Sequence, residues 1–162
     1  MRNYAVRPGT AEDMNRILEI YAIARKFMAQ NGNPTQWGTS HPEEAVLWED
    51  ISQESLFVVT EGSVIRGVFY FALGDDPTYA HIEQGSWRSD TPYGTIHRIA
   101  GDGSGGVFGA CLAYVEKLSN HIRIDTHADN KPMQHVVEKY GFSRRGIIYV
   151  ADGSPRIAYD RI

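Results

Sequence analysis

Two runs of β-forming residues lie in the middle of the chain, separated by only three residues. Residues 56–60 and 64–73 are rich in Val, Ile, Phe and Tyr, and Glu61-Gly62-Ser63 connects them. A short connection that contains glycine predicts a β-hairpin, so these two strands are antiparallel neighbours. Helical patterns lie on both sides of this hairpin, and strands joined through helices are commonly parallel. The chain is therefore predicted to build a mixed α/β sheet.

The residues before the hairpin predict one strand and two helices. Residues 3–7 have the composition of a short strand, and Thr10 followed by Asp13 has the form of a capping box. Apolar residues then recur at helical spacing: Met14, Ile17, Leu18, Tyr21, Ala24 and Met28. Turn-forming residues 31–34 end this helix, and after a polar loop a second helix runs to about residue 54.

The rest of the chain alternates between strands and helices. A short extended piece is predicted at residues 79–83, strands at 95–100 and 122–126, helices at 107–119 and 130–140, and a last hairpin from 142–150 and 156–160. The element order is β-α-α-β-β-β-α-β-α-β-β, without an internal repeat or a linker. We therefore predict one domain over residues 1–162. The last hairpin supplies edge strands that would allow a homodimer.

Composition narrows the class of protein further. The chain has 162 residues, 42% hydrophobic and 22% charged, which is enough apolar surface for a core. A formal net charge of -4, without a block of Lys and Arg, argues against a nucleic-acid partner. The single cysteine, Cys111, excludes an internal disulfide. With no N-terminal apolar segment and no run of about 20 apolar residues, we expect a cytoplasmic protein without a membrane partner.

A glycine-rich turn between the strand at 95–100 and the helix that follows is suited to bind a phosphate. The first N–H groups of a helix have no intrahelical partner, and the helix dipole adds partial positive charge there. Gly103, Gly105, Gly106 and Gly109 would let a ligand approach the backbone. No Lys-Ser or Lys-Thr pair follows these glycines, so the turn is not a P-loop.

Two segments then resemble a known family. Ile96-His97-Arg98-Ile99-Ala100, with the turn and helix that follow, resembles the acetyl-CoA-binding segment of the GNAT acetyltransferases. Residues 124–134, which include Asn130, and the ending Lys139-Tyr140-Gly141-Phe142 are similar to that family's next strand and helix. The element order matches over nearly the whole chain. The capped first helix and the Gln36-Trp37 loop resemble a little-characterised bacterial subgroup of the family.

The resemblance implies a mixed, mostly antiparallel sheet with helices on both faces and two central strands that splay around acetyl-CoA. The backbone of Ile99 and Ala100 would pair with the pantetheine, and Asn130 and Met133 would contact it or orient the thioester. The pyrophosphate would lie on the amides of the turn and the first helical residues: Ser104, Gly105, Gly106, Val107, Phe108 and Gly109. The implied reaction is direct transfer of an acetyl group to a primary amine of a small molecule or peptide.

The sequence departs from the family pattern in two places. In the usual cofactor loop, R/Q-x-x-G-x-G/A, Ser104 takes the Arg/Gln position and Val107 the first Gly position when aligned on Gly109. Many members carry a tyrosine general acid on the last helix, where this chain has Val137. These departures keep open a catalytically weak or silent acyl-CoA-binding domain, and a nucleotide-binding or unrelated α/β module is the third hypothesis.

Three residues are candidates for the base that takes a proton from the amine. Glu83 precedes the central strand, His97 lies on the strand beside the predicted cofactor, and His127 lies at the end of the next strand. Glu83 would otherwise be a solvated carboxylate, and His97 a buried core histidine. Trp37, which lies in a polar loop and not on a periodic face, is the candidate to line the acceptor pocket.

Two other sets of residues are not assigned to a site. Asp125, His127 and Asp129 alternate along the chain, but no further ligand or supporting partner is specified, so no metal is predicted. Cys111 lies on the apolar face of its helix, which indicates a buried structural thiol and not a nucleophile.

Overall fold

The structure, a computed structural model, describes residues 2–162. Within this range the strands are β1 (Tyr4–Pro8), β2 (Leu56–Glu61), β3 (Val64–Leu73), β4 (Gly94–Gly101), β5 (Ile122–Thr126), β6 (Ser143–Tyr149) and β7 (Pro155–Arg161). The α-helices are α1 (Met14–Gln30), α2 (Glu44–Ser52), α3 (Val107–Val115) and α4 (Lys131–Lys139). This is the predicted element order, and the capping box of Thr10 and Asp13 is present before α1.

All seven strands form one sheet in the order β1-β2-β3-β4-β5-β7-β6. The pair β4–β5 is parallel, and each of the other neighbouring pairs is antiparallel. The predicted mixed, mostly antiparallel sheet is confirmed. The hairpin β2–β3 and the crossover through α3 account for the two kinds of pairing, because a parallel neighbour needs a long connection.

The two central strands separate shortly after they meet. β4 and β5 pair only at Gly94 with Ile122 and at Thr95 with Arg123. Beyond that point β5 pairs along its whole length with β7, while β4 stays bonded to β3. The predicted splay of the central strands is therefore confirmed, and it opens a gap in the middle of the sheet.

Helices cover both faces of the sheet. On one face α3 and α4 pack on a core that includes Phe69, Ile124 and Val137. On the other face α1 and α2 pack on a second core that includes Ile17 and Leu47. Because each helix buries one apolar stripe against the sheet, both faces are held while the gap between β4 and β5 stays open.

A β-bulge interrupts β4 where the strands separate. Tyr70 in β3 pairs with His97 and Val68 pairs with Ala100, so one β3 residue opposes two residues of β4. Arg98 takes up the bulge with φ of 51°, which is unusual for a residue other than glycine. The hydroxyl of Tyr21 donates a hydrogen bond of 2.6 Å to the Arg98 carbonyl and holds this conformation.

Two local predictions differ from the structure. α3 ends at Val115 and not at residue 119, because the N–H groups of Lys117 and Leu118 bond carbonyls three residues back instead of four. The piece predicted as extended over residues 79–83 begins with a 3-10 turn, Pro77–Tyr79, and only Glu83 forms an isolated bridge, with Ile147. None of the helices in residues 2–162 has the length and apolar character needed to cross a membrane.

Candidate active site

A cavity of about 730 Å³ lies where β4 and β5 separate. Its lining includes Ile124 and Met133 from the α3–α4 face of the sheet. It also includes Trp37 and Arg98, which contact α1 and α2 on the other face. The cavity therefore passes between the two faces of the sheet, so two molecules that enter from opposite faces would meet at the bulge.

His97 lies in this cavity between two carboxylates. Its Nε2 is 2.7 Å from Asp76 Oδ2, and its Nδ1 is 3.8 Å from Asp125 Oδ2. The Tyr79 hydroxyl donates to Asp125 Oδ2 over 2.7 Å. Asp76 Oδ1 accepts from the backbone N–H and the hydroxyl of Thr78, at 2.9 and 2.6 Å. The cluster thus fixes both carboxylates around one imidazole.

The hydrogen bond to Asp76 determines which ring nitrogen of His97 carries the proton in the neutral imidazole. Burial alone would raise the pKa of Asp76, but the bonds from His97 and Thr78 outweigh burial and lower that pKa to about 2. Asp76 is then ionised at neutral pH and only accepts, so Nε2 of His97 carries the proton. In the neutral ring, the lone pair is on Nδ1, which faces Asp125 across a gap too long for a hydrogen bond.

Tyr79 stays a phenol under ordinary conditions. Burial raises the pKa of Tyr79 well above its usual range, and the neighbouring charge of Asp125 adds to this effect. The phenol therefore donates to Asp125 and orients one of its oxygens, while the carboxylate keeps further lone pairs for another donor.

The charge of Arg98 at the bulge is compensated inside the protein. Its Nε and Nη2 donate to the two oxygens of Asp50, at 3.0 and 2.8 Å. Asp50 is 4% exposed, and burial raises its pKa although Arg98 opposes that effect. The guanidinium also lies 4.6 Å from the centre of the Tyr70 ring. Arg98 is therefore a structural cation in the cavity wall.

The loop between α1 and α2 closes one side of the cavity through an amide network. Gln36 Oε1 accepts hydrogen bonds from Asn33 Nδ2 at 2.8 Å and from Asn130 Nδ2 at 3.1 Å. Asn130 Oδ1 accepts from the Met133 N–H at 3.2 Å and caps α4. The loop is thus tied to the beginning of α4, and Gln36, Asn130 and Met133 all line the cavity.

One cavity group has a polar atom without a partner. Thr126, at the end of β5, is 1% exposed, and its Oγ1 has no hydrogen-bond partner among residues 2–162. Buried polar atoms usually have a partner. The unsatisfied hydroxyl therefore indicates a contact point for a molecule bound in the gap.

The free edge of β4 presents backbone groups to the gap. The N–H of Asp102 donates to the Arg66 carbonyl in β3, at 2.9 Å. Because ladder groups alternate along a strand, the N–H of Ala100 is directed toward β3 and that of Ile99 toward the gap. Of the two residues predicted as backbone partners of a cofactor, Ile99 is therefore the one whose N–H faces the gap.

The glycine-rich turn leads into the exposed first turn of α3. Gly103, Gly105 and Gly106 have φ of 91°, 86° and 81°, a region that favours glycine. A second cavity of about 480 Å³ lies against this turn, lined by Arg2, Asn3, Tyr4, Ser104, Gly105, Gly106 and Ala110. The unpaired N–H groups of the first turn of α3 give this end of the molecule the character of an anion site, whereas the Arg2 guanidinium beside it is paired with Glu61 at 2.8 Å.

The negative charge of Asp102, which lies next to this turn, is compensated by neighbouring arginines, so its repulsion of a bound anion is reduced. Asp102 Oδ2 accepts from Arg16 at 2.9 Å and from Arg66 at 3.2 Å, and its Oδ1 accepts from the Ser104 N–H at 3.0 Å. These bonds lower the pKa of Asp102 although burial alone would raise it. Two guanidinium groups thus balance one carboxylate beside the anion site.

The same architecture occurs in solved structures of acetyltransferases. A GNAT-family acetyltransferase from Streptococcus agalactiae is 27% identical, with a TM-score of 0.88 over 98% of this chain and 95% of that chain. The chain has the GNAT acetyltransferase fold. GNAT-family acetyltransferases from Listeria monocytogenes and Bacillus cereus share the fold at 17% and 19% identity, with TM-scores of 0.66 and 0.62. Each alignment covers 98% of this chain, and 94% and 96% of the respective relative. No family model and no curated protein matches the sequence.

Within this GNAT fold, the structure brings together only some of the residues that the sequence singled out. His97, Ile99, Asn130, Met133 and Trp37 all line the main cavity. Ser104, Gly105 and Gly106 line the second cavity, and Val107, Phe108 and Gly109 form the first turn of α3 beside it. Ala100 is buried in β4 between these two regions.

The other two candidate bases lie outside the cavity lining. The Glu83 side chain is 45% exposed, and it bonds His81 at 3.1 Å and the Tyr149 hydroxyl at 2.9 Å. His127 accepts a hydrogen bond from the Asp129 N–H at Nδ1, at 2.9 Å, and so closes the turn before α4. Both side chains are engaged in hydrogen bonds outside the cavity lining, so their catalytic role remains a prediction.

Gly109 has a packing reason as well as its predicted binding role. A Cβ at this position would lie 2.6 Å from the Tyr140 hydroxyl. Tyr140 therefore fills the space beside the first turn of α3, and it also packs against Phe108 with ring centres 5.5 Å apart.

Val137, at the position of the family's tyrosine, is fully buried. Within residues 2–162, no group of three metal-ligating side chains has a geometry that would hold an ion.

Sequence analysis did not find several cavity residues. Asp76, which lines the cavity, belongs to a turn after the hairpin, and Asp50, the partner of the cavity residue Arg98, belongs to an ordinary amphipathic helix. Arg156 lies in β7 on the same face as the apolar Ala158, and a charged residue on that face is a signal that period-two reasoning would have detected. The partners of His97 come from segments 21 and 28 residues away along the chain, which no local pattern reveals.

Proposed function

We propose that this chain moves an acetyl group from acetyl-CoA to a primary amine by direct transfer, with His97 as the base. The likeness to GNAT acetyltransferases supports acetyl transfer as the general activity. The observation that supports this proposal most strongly is the cavity where β4 and β5 separate. This cavity connects the gap suited to the pantetheine with the His97 cluster on the other face.

The residues along the gap fit acetyl-CoA. The first turn of α3 and the glycine turn would hold the pyrophosphate, and the free edge of β4 after the bulge would pair with the pantetheine. Thr126 Oγ1, which lacks a partner in residues 2–162, would contact the bound arm. When bound, acetyl-CoA supplies an acyl group activated as a thioester.

The His97 cluster supplies the proton chemistry. An ammonium ion is attracted to Asp125, and one N–H then lies within reach of His97 Nδ1 in the 3.8 Å gap. His97 takes that proton at Nδ1 while Asp76 holds the Nε2–H and stabilises the imidazolium that forms. Loss of that proton gives the amine nitrogen a lone pair, which attacks the acyl carbon. The nitrogen then loses a second proton, which goes to the departing sulfur as the C–S bond breaks, so the products are the amide and the thiol of CoA. The N–H of Ile99, directed toward the gap, is placed to stabilise the oxyanion.

The departing thiolate needs little protonation, since a thiol is a better leaving group than an alcohol or amine. No tyrosine stands at the position of Val137, and Val137 itself is fully buried. This observation favours, as the second candidate, an acyl-CoA-binding domain with weak or no turnover. The two functions differ in one measurable respect, because only the enzyme releases free CoA in proportion to an added amine.

The test of the proposal is acceptor-dependent release of CoA by His97→Gln and by the wild-type protein. Loss of a general base lowers turnover by roughly 10²- to 10⁴-fold, so His97→Gln should lose at least ~100-fold. Glu83→Gln and His127→Gln are the matched controls, and both should keep turnover within about threefold. Equal turnover in His97→Gln and wild type would remove His97 from the mechanism.

A further inference from the structure

We propose that the acceptor carries a carboxylate beside its amine, and that Arg156 binds this carboxylate. This inference rests on the proposed acetyl transfer and names the class of its acceptor: amino acids or short peptides with a free carboxyl terminus. It depends on the charges in the cavity wall and on the register of β5 and β7.

Arg156 is a buried cation in the cavity wall without an acidic partner. It lines the main cavity and is 8% exposed. Among residues 2–162 its side chain makes one hydrogen bond, from Nη1 to the carbonyl of Pro155 at 3.0 Å, and no ion pair. Arginine is rarely this buried unless it is paired, because leaving water is costly for an ion. The remaining donors of its guanidinium are therefore available to an anion.

The other charged groups on this side of the cavity leave Arg156 as the dominant positive centre. Arg98 is already neutralised by both oxygens of Asp50. Burial lowers the pKa of His41, and the charges of Arg98 and Arg156 lower it further, so His41 is neutral. Asp152 also lines the cavity, in the exposed turn of the hairpin, and accepts a hydrogen bond from the Ser154 N–H at 2.9 Å. The hydrogen bonds from Ser154 lower the pKa of Asp152 and the charge of Arg156 adds to this effect, but among residues 2–162 no ion pair joins Asp152 to Arg156.

The sheet places Arg156 and Asp125 at a separation that suits a small zwitterion. In the antiparallel pair β5–β7, Asp125 is opposite Ala158, and Arg156 lies two residues earlier on the same face. Such diagonal neighbours have Cβ atoms roughly 7–8 Å apart. The side chains of Arg156 and Asp125 are long enough to pair at this spacing, yet no ion pair joins them in residues 2–162. The space between a cationic and an anionic pole is thus left for a molecule with the opposite polarity.

The chemistry at both poles selects one class of acceptor. A guanidinium presents a planar set of donors that matches a carboxylate in a bidentate manner. Asp125 and His97 attract and deprotonate the amine at the other pole. An amine without a carboxylate would leave the buried Arg156 unpaired. A site that contains a buried polar group discriminates strongly against ligands that lack the group needed to pair with it.

The test compares matched acceptors that differ only in the carboxylate. The panel contains the common amino acids, β-alanine and dipeptides, each beside its carboxamide, and free CoA release is measured with acetyl-CoA. Wild type should favour the best carboxylate-bearing acceptor over its amide by about 100-fold in kcat/KM, a ratio that needs no variant. Equal kcat/KM for acid and amide, or no release with any acid, would overturn the assignment.

Two variants locate the effect at Arg156. Arg156→Gln should lower kcat/KM for the acid by roughly 10- to 100-fold and leave the amide nearly unchanged, because only the acid loses a charge-assisted contact. Arg144→Gln removes a charge from the exposed surface of β6 and should change neither. An equal loss for acid and amide in Arg156→Gln would contradict a carboxylate contact.

Calorimetry with acetyl-CoA separates the two proposals. Wild type that binds acetyl-CoA but acetylates only amines without a carboxylate overturns the acceptor class and leaves acetyl transfer intact. Wild type that does not bind acetyl-CoA overturns both. Retained acetyl-CoA affinity in Arg156→Gln shows that the variant is folded, so its loss of activity toward the acid is assigned to the carboxylate contact.

Discussion

At the scale of single residues, the central feature is the His97 imidazole, whose Nε2–H donates a hydrogen bond to the ionised Asp76. Asp76 holds the Nε2–H of His97 and leaves Nδ1 toward the gap, where Asp125 lies 3.8 Å away. In the proposed mechanism the two carboxylates have different roles, because Asp76 orients His97 as the base and Asp125 attracts the ammonium group of the acceptor. It also explains why His97, and not the exposed Glu83, has the geometry of a general base.

Asp76→Asn should destabilise the protein in a pH-dependent manner. The folded-state pKa of about 2 lies below the ordinary value of 3.8, so ionised Asp76 stabilises the fold at pH above about 4. That contribution, on the order of 2 kcal/mol, is lost as pH falls from 4 to 2. Urea unfolding of Asp76→Asn should therefore show a lower free energy of unfolding at pH 7, and the difference from wild type should shrink below pH 4.

Asp75→Asn is the matched control for this experiment. Asp75 is exposed and belongs to the same turn. Its replacement should change the free energy of unfolding by less than about 0.5 kcal/mol at either pH. A deficit in Asp76→Asn that stays constant between pH 7 and pH 2 would show that the carboxylate is not held in its ionised form.

Sequence reasoning succeeded at single residues where a local pattern carried the information. His97 and Trp37 were predicted from their positions on a strand and in a polar loop, and Asn130 from the resemblance to the GNAT segment; all three line the cavity. Asp76, Asp125 and Arg156 owe their roles to strands and turns that meet only in the folded chain. Their spacing along the sequence contains no period that would bring them together.

At the scale of elements, the bulge in β4 is stabilised by an ion pair between the strand and α2. Arg98, at φ of 51°, donates twice to the buried Asp50, and its carbonyl accepts from Tyr21 in α1. The backbone strain at the bulge is thus offset by contacts with both helices of one face. The helices predicted from their apolar spacing therefore do more than cover the sheet, because they also hold its irregular point.

Arg98→Ala should destabilise the protein by about 3–5 kcal/mol at pH 7, since it leaves Asp50 buried and unpaired. Burial already raises the pKa of Asp50 and Arg98 counteracts it, so the variant should raise that pKa further. A raised folded-state pKa favours the fold at low pH and costs stability as pH rises. The deficit, measured by urea unfolding, should therefore decrease as pH falls.

A second substitution checks that Asp50 causes this deficit. Asp50→Asn in the Arg98→Ala background removes the unpaired charge and should recover part of the lost stability at pH 7. The contrary result is additivity, in which adding Asp50→Asn to Arg98→Ala lowers the free energy of unfolding by as much as Asp50→Asn does in the wild type. The two side chains would then act independently, and the ion pair would not hold the bulge.

Elements with a strong period were predicted almost residue by residue, whereas irregular elements were not. The residues of β5 and the start of α3 match the prediction because apolar alternation and the glycine turn mark them. The bulge at Arg98 could not be predicted, because its positive φ occurs at a residue type that does not favour it. The 3-10 turn at Pro77–Tyr79 likewise depends on Asp76, which caps the turn and also binds His97.

At the scale of the whole molecule, the fold creates two cavities of different chemical character. The α3 side presents unpaired N–H groups and glycines, which suits an anionic cofactor. The α1–α2 side presents an anionic pole at Asp125 and a cationic pole at Arg156. A net charge of -4 does not reveal this difference, because local charges and not the total determine what each cavity binds.

The measurement that tests the central claim most directly is calorimetric titration of acetyl-CoA into wild type and two variants of Ala110. Ala110 lies half-buried in the first part of α3 and lines the cavity beside the glycine turn. Ala110→Glu brings a negative charge to the proposed pyrophosphate site, while Ala110→Gln has nearly the same shape without the charge. A glutamate near a helix N-terminus is favourable for the helix itself, so both variants should stay folded.

We expect wild type and Ala110→Gln to bind one acetyl-CoA per chain, and Ala110→Glu to bind at least about 10-fold more weakly because its charge repels the pyrophosphate. Absence of binding in wild type, or equal affinity in the glutamate and glutamine variants, would contradict the proposal that acetyl-CoA lies along α3 and enters the gap between β4 and β5.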